Sequence, residues 1–257
     1  MSRNVFLTGA SSGIGAALAR EYHRRGAYLG LVARRADALQ ALAAELDGRC
    51  LVYAVDVTDR AALIAAAVDF ERRCGGADVV VANAGIGIGV QTEHYADLAV
   101  FDRTLATNLT AAVGTFHPFI GPMRARRRGT LAAISSVAGV RGLPGSEAYC
   151  PSKAALTSYC ESLRVGLHGS GIAVVTIAPG FIRTPLTADN PYPMPFLMDA
   201  EAFARAAVDA IERGDSYRVI PWQMAWVARL LRILPNWAFD RALARRGRKP
   251  RAPAGAA

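Results

Sequence analysis

Tyr149 and Lys153 are four residues apart, the spacing that stacks two side chains on one face of a helix. An ammonium beside a phenol favours the phenolate, so this tyrosine should titrate below its ordinary value of about 10. A phenol poised nearer neutrality can give or take the proton when a carbonyl and an alcohol interconvert. Ser136 follows the apolar run from Gly129 to Ile134, where its hydroxyl can hold a substrate oxygen. A solvated helix face also brings tyrosine and lysine together by chance, so the elements around the pair decide.

The first strand, Asn4 to Leu7, runs into Thr8-Gly9-Ala10-Ser11-Ser12-Gly13-Ile14-Gly15 and then into a helix over Ala16 to Arg25. Strand, glycine-rich turn and helix form the arrangement that holds a dinucleotide. Gly9 permits the tight turn, Gly13 lets the backbone approach a pyrophosphate, and Gly15 lets the helix pack on the strand. N–H groups at the helix start, around Ser11, Ser12 and Ile14, then hold phosphates. The second strand, Tyr28 to Ala33, ends without the carboxylate that would accept from a ribose 2′-hydroxyl. Arg34 and Arg35 follow instead, and Arg34 suits a 2′-phosphate. The expected cofactor is therefore NADP(H) rather than NAD(H).

Leu39, Leu42 and Leu46 mark an amphipathic helix over Ala36 to Leu46. Cys50 to Val55 is the third strand, closed by Asp56-Val57 where an adenine would lie. Asp59 caps a helix over Arg60 to Arg73. Asp78 to Val81 is the fourth strand, ending in Asn83-Ala84-Gly85 at the cofactor crevice. Helices over His94 to Ala106 and Asn108 to Arg126 lead to the fifth strand, Thr130 to Ile134. Asn108, near the helix junction, is either a cap or an amide that organises a water. The Tyr149 helix continues to about His168. Pro151 lacks an N–H and crowds the carbonyl four back, so the helix must start late, with a cap near Ser146. The sixth strand, Ile172 to Ile177, leads to Pro179, Gly180, Ile182 and Thr184. Three prolines exclude regular structure from Asp189 to Phe196 and mark a lid. A helix over Asp199 to Arg213 and a strand over Tyr217 to Ile220 complete the alternation. Strand and helix alternate throughout, which predicts an α/β, Rossmann-type doubly wound sheet of about seven parallel strands flanked by helices. A single domain is expected over residues 1–244, and the basic stretch 245–257 is expected to be an unstructured tail.

The net charge is +9, but from Ser216 onward nine basic residues face Asp240 alone, so the body of the chain is nearly neutral. A general nucleic-acid surface is not indicated. The N-terminus has no apolar signal region, and no apolar run reaches the roughly 18 residues that span a bilayer. A cytoplasmic enzyme is expected. Cys50, Cys74, Cys150 and Cys160 have no metal or redox spacing and read as free thiols. The four histidines form no ligand pair, so no metal site is expected.

In their order along the chain, Thr8 to Gly15, Asp56, Asn83-Ala84-Gly85, Asn108, Ser136, Tyr149-x-x-x-Lys153, Pro179-Gly180 and Thr184 resemble the short-chain dehydrogenase/reductase family, in its single-domain branch. The resemblance covers about Arg3 to Ile220. It implies that Tyr149 is the general acid or base, and that Lys153 lowers its pKa and binds the nicotinamide ribose. Ser136, thirteen residues before Tyr149, would orient the carbonyl, in preference to Ser135. Asn108 would hold a water that relays protons to Lys153, Asn83 and Gly85 would border the cofactor, and Thr184 would hold its carboxamide. It also implies a homodimer or homotetramer. Narrower and different readings are a 3-oxoacyl-thioester reductase of lipid or polyketide synthesis and a non-catalytic NADP-sensing regulator.

Beyond the core, Trp222, Trp226, Leu230 and Leu234 follow a helical spacing with Arg229 and Arg232 interspersed. This C-terminal amphipathic extension suits packing on the domain or a partner subunit, the mouth of an apolar substrate site, or peripheral contact with a membrane surface. Phe181, Tyr192 and Phe196 near the lid add to the expectation of an apolar substrate.

Overall fold

Val5 and Leu7 of strand β1 (Asn4–Thr8) join one buried cluster and Phe6 joins another, so the strand is covered on both faces. That double burial is the signature of a parallel sheet between two helical layers. The computed structural model describes residues 3–188, 190, 193–244 and 247–251. After β1 come α1 (Gly13–Arg24), β2 (Tyr28–Ala33), α2 (Ala36–Glu45), β3 (Cys50–Ala54), α3 (Arg60–Cys74) and β4 (Val79–Ala82). Then follow α4 (Ala96–Leu105), a π-helical turn (Ala106–Thr110), α5 (Ala111–Arg126), β5 (Gly129–Ile134), α6 (Tyr149–Gly166) and β6 (Ile172–Pro179). The chain continues through β7 (Ile182–Arg183), β8 (Met198–Asp199), α7 (Ala200–Arg213), β9 (Tyr217–Ile220), α8 (Gln223–Ile233) and α9 (Asn236–Leu243).

Seven strands form one sheet in the order β3-β2-β1-β4-β5-β6-β9, every pair parallel. Helices α1, α2 and α7 bury Tyr22, Leu39, Leu42 and Phe203 on one face. Helices α3, α5 and α6 bury Phe70, Phe116, Phe119 and Leu156 on the other. The Phe6 ring lies 5.4 Å from that of Phe70 and 5.1 Å from that of Phe119. Strand order reverses between β1 and β4, which opens a crevice at the carboxyl ends of the strands. The expected doubly wound sheet is therefore present.

Local differences from expectation have physical causes. The N–H of Ala62 donates to Asp59 Oδ1, so the foreseen cap is made. Helix α6 starts at Tyr149 after Ala148, without a side-chain cap at Ser146. Pro151 is its third residue, where the missing N–H has no intrahelical acceptor and the carbonyl four back lies outside the helix. The start is thus a little later than a cap at Ser146 would give, and the proline is tolerated. The two helices predicted around Asn108 are one continuous path carrying a π turn at that residue. The predicted lid carries a two-stranded pair, β7 with β8, at its ends, while Asp189, Pro191 and Tyr192 lie outside the described residues.

Candidate active site

The turn after β1 has Gly9 at φ +69° and Gly13 at φ +53°, left-handed values that side chains with a Cβ resist. At Gly15 a Cβ would run into the Gly9 carbonyl, so the helix rests directly on the turn. Asn83 Nδ2 donates to the carbonyls of Thr8 (2.9 Å) and Gly9 (3.2 Å), and the Thr8 hydroxyl accepts from the N–H groups of Asn83 and Ala84. Asn83 thus clamps the glycine turn from the end of β4. The first turn of α1 holds no acidic residue and Ser12 makes no side-chain cap, which leaves its N–H groups to an anion. A dinucleotide phosphate fits this cradle.

Beyond the end of β2, Arg34 pairs loosely with Asp56 at 3.7 Å and remains two-thirds exposed. Arg35 reaches back to the carbonyl and hydroxyl of Ser11, each at 3.2 Å. Two guanidinium groups therefore flank this end of the crevice. Asp56 accepts from the N–H and hydroxyl of Thr58. Burial pushes its carboxyl up, but the Thr58 bonds and the Arg34 charge outweigh this and hold it below the usual range.

Tyr149 and Lys153 share one face of the first turns of α6, with Lys153 Nζ 5.9 Å from the phenol ring centre. Lys153 is buried and donates to the Ile134 carbonyl at 2.8 Å. Burial pulls its pKa down to about 8. Asn108 is buried in the π turn. It accepts from the Ile86 N–H (2.8 Å) and donates to the Ile86 carbonyl and to Ser152 Oγ (both 2.9 Å). A Cβ on Gly85 would lie 3.3 Å from Asn108 Oδ1 and 3.5 Å from Lys153 Nζ, so this glycine sits at the gap between them. Ser135 is engaged with the Lys153 carbonyl and the Thr157 hydroxyl. Ser136 accepts from the Ala138 N–H, and its side chain borders the same cavity as Tyr149.

That cavity, of about 610 Å³, brings together Gly9, Ser11, Ser12, Gly13, Ile14, Gly15, Arg34, Arg35, Asp56, Val57, Asn83, Ala84, Gly85, Ser136, Tyr149, Lys153, Pro179, Gly180, Ile182 and Thr184. Of the residues singled out in the sequence, Asn108 stands behind the wall rather than on it. Thr58, Ile86, Ile88, Arg103, Thr107 and Pro185 to Thr187 also line it and were not anticipated, since each belongs to a loop or helix with no motif of its own. A Cβ on Gly13 would meet Thr184 at 3.2 Å, so the chain just after β7 folds over the glycine turn.

A family model described as short chain dehydrogenase matches residues 3–193. The chain belongs to that family. This short-chain dehydrogenase is 40% identical over 246 residues to an uncharacterized oxidoreductase of Myxococcus xanthus, covering 95% of this chain and 97% of that protein. The L-sorbose reductase of Gluconobacter frateurii, solved with NADPH and L-sorbose, superposes with a TM-score of 0.77 at 29% identity, over 85% of this chain and 94% of that one. A short-chain dehydrogenase from Streptomyces avermitilis gives a TM-score of 0.78 at 24% identity, over 89% and 92% of the two chains, a likeness of fold.

Two features of the surroundings of this dehydrogenase's cavity emerge only from the fold. Phe196 and Trp222 line a separate groove of about 660 Å³ with Met198, Arg213 and Arg218. Trp226 and Trp237 are exposed. None of these aromatics is among the residues that line the Tyr149 cavity, and Tyr192 lies outside the described residues. Residues 247–251, expected within an unstructured tail, lie against the body instead. The Gly89 N–H donates to the Pro250 carbonyl, and Arg251 grips the buried Asp97 with two bonds of 2.8 Å. The acid that holds the tail is far away in sequence. Arg245, Arg246 and residues 252–257 lie outside the described residues.

Proposed function

We propose that this dehydrogenase interconverts a carbonyl and a secondary alcohol with NADP(H), Tyr149 being the general acid in reduction and the base in oxidation. The observation that carries the reading is Lys153, buried in the first turns of α6 with its ammonium 5.9 Å from the Tyr149 ring centre. A cation at that position favours phenolate and brings the phenol toward the working pH. The Ser136 hydroxyl donates to the substrate oxygen while Tyr149 delivers its proton to the same atom. Lys153 also binds the nicotinamide ribose. Asn108 fixes Ile86 and the first turn of α6 through Ser152, and holds a water that passes protons to Lys153. NADP(H), when bound, supplies or accepts the hydride. Gly9 to Gly15 receive its pyrophosphate, Asp56 and Val57 border its adenine, and Thr184 holds its carboxamide. Preference for the 2′-phosphate is supported by Arg34 and Arg35 and by the lack of a carboxylate at Ala33.

The working form is an oligomer, a homodimer or homotetramer of the kind the family resemblance implies, in the cytoplasm. Helices α8 and α9 rest on anionic membrane surfaces. Trp222, Trp226, Leu230, Ile233 and Trp237 are all more than half exposed there, and Arg229, Arg232 and Arg241 outnumber Asp240.

The test is a paired titration of NADPH and NADH, followed by NADPH oxidation over aldehydes, ketones, quinones and acyl thioesters. NADPH should bind at least about tenfold more tightly, the value of one charge-assisted contact. Tyr149→Phe should cut turnover by about 10²- to 10⁴-fold with NADPH affinity retained. NADH preference would overturn the role of the arginines. A phenylalanine variant with full turnover would overturn that of Tyr149.

A further inference from the structure

Residues 247–251 form a strap beside Tyr149, laid against Gly87, Gly89 and Gly145. Its outer cations are matched to acids: Arg248 lies 3.9 Å from Glu93, and Arg251 is held by both oxygens of Asp97. Gly89 and Gly145 leave no room for a Cβ against the Lys249 backbone, so the strap is seated on chain that only glycine can supply. Between the loosely paired Arg248 and the firmly held Arg251, Lys249 turns inward. Its Nζ is 5.3 Å from the centre of the Tyr149 ring. A Cβ on Gly87 would fall 2.9 Å from that ammonium and 3.3 Å from Tyr149 Cδ2, so Gly87 makes the space the ammonium uses. Gly87 sits between Ile86 and Ile88, both of which line the cavity. Among the described residues no carboxylate pairs with Lys249, unlike its neighbours on the strap. Burial accordingly pulls its pKa below the ordinary lysine value.

A half-buried ammonium without a counterion is costly, and a fold that seats the strap on Gly89 and Gly145 and grips Arg251 keeps that cost in place. An anion arriving with the substrate offsets it. We propose that Lys249 is a specificity-determining residue, whose ammonium binds a carboxylate or similar oxyanion on the substrate while Tyr149 serves the carbonyl. The proposal rests on the reading of Tyr149 as proton donor.

The experiment uses the full chain with NADPH and compares levulinic acid and its longer keto-acid homologues with their methyl esters. Wild type should prefer the acids. Lys249→Ala should lower the acid-to-ester ratio of kcat/KM by about tenfold or more, the worth of a hydrogen bond to a charged group, and Lys249→Glu should invert it. Arg251→Gln loosens the strap while keeping the ammonium, and should also lower the ratio. Circular dichroism and NADPH affinity establish that each variant is folded. Equal handling of acids and esters by wild type overturns the proposal. So does faster turnover of both by Lys249→Ala, which would make the strap a plug. If no carbonyl is turned over, the proton-donor reading fails, and calorimetry with the NADP⁺-loaded protein still tests Lys249. Acids that bind more tightly than esters, and lose that advantage in Lys249→Ala, support the proposal; equal binding overturns it.

Discussion

At the scale of single residues, the proposed chemistry depends on how burial changes a charge. Lys153 donates to the Ile134 carbonyl but is removed from water, and that burial pulls its pKa down to about 8. Its pKa is depressed, so the ammonium is present below about pH 8 and lost above. The kcat/KM for NADPH, which reports groups of the free enzyme, should therefore fall on the alkaline side with a midpoint near 8. Lys153→Met should abolish that limb and most of the activity with it. A steady-state pH profile checks this, and a flat profile up to pH 10 would exclude Lys153. The pair itself was legible in the sequence, because a four-residue spacing on a helix needs no long-range information. The occupation of Ser135 was not. Its bonds to Lys153 and Thr157 exist only once β5 and α6 are packed together. Arg35 likewise reads as one of two similar arginines until the fold brings Ser11 beside it.

At the scale of elements, most strands and helices followed from apolar periodicity and capping, as at Asp59. The misjudged ones were set by tertiary context. Pro151 was an obstacle only on the assumption that the helix had already begun before Tyr149. The π turn at Asn108 has no local sequence mark. It accompanies side-chain bonds to Ile86 and Ser152, residues 22 and 44 positions away. The aromatic residues near the lid pointed to an apolar substrate mouth, whereas Phe196 and Trp222 meet in another groove. Helices α8 and α9 bury Met224, Ala228 and Phe239 but leave Trp226, Leu230, Ile233 and Trp237 exposed. Among the described residues no helix is long and apolar enough to cross a membrane, so the contact proposed for α8 and α9 is peripheral. The protein should float with anionic vesicles at low salt and be released by salt, because exposed charge pairing is screened. Trp226→Ser with Leu230→Ser should prevent flotation while leaving NADPH binding intact. Recovery of the wild-type protein wholly in the soluble fraction would sink the membrane reading.

At the scale of the whole molecule, Val113 on α5 and Val165 on α6 are exposed, Val165 by about two-thirds. These are the helices through which the family resemblance implies association. Light scattering should return a multiple of 27.2 kDa, and Val165→Glu should shift it toward the monomer. A monomer in the unaltered protein would remove the oligomer from the proposed function. The sequence alone determined the class of fold, the dinucleotide turn and the Tyr149–Lys153 pair, because periodicity, glycine geometry and helical spacing act within a few residues. Only the tertiary structure decided what surrounds them. Asn83 reaches a turn 74 residues earlier, and Arg251 reaches Asp97 across 154. Those contacts form when the sheet and its crossings bring distant segments together, and no local rule of the chain encodes which acid a terminal arginine will meet.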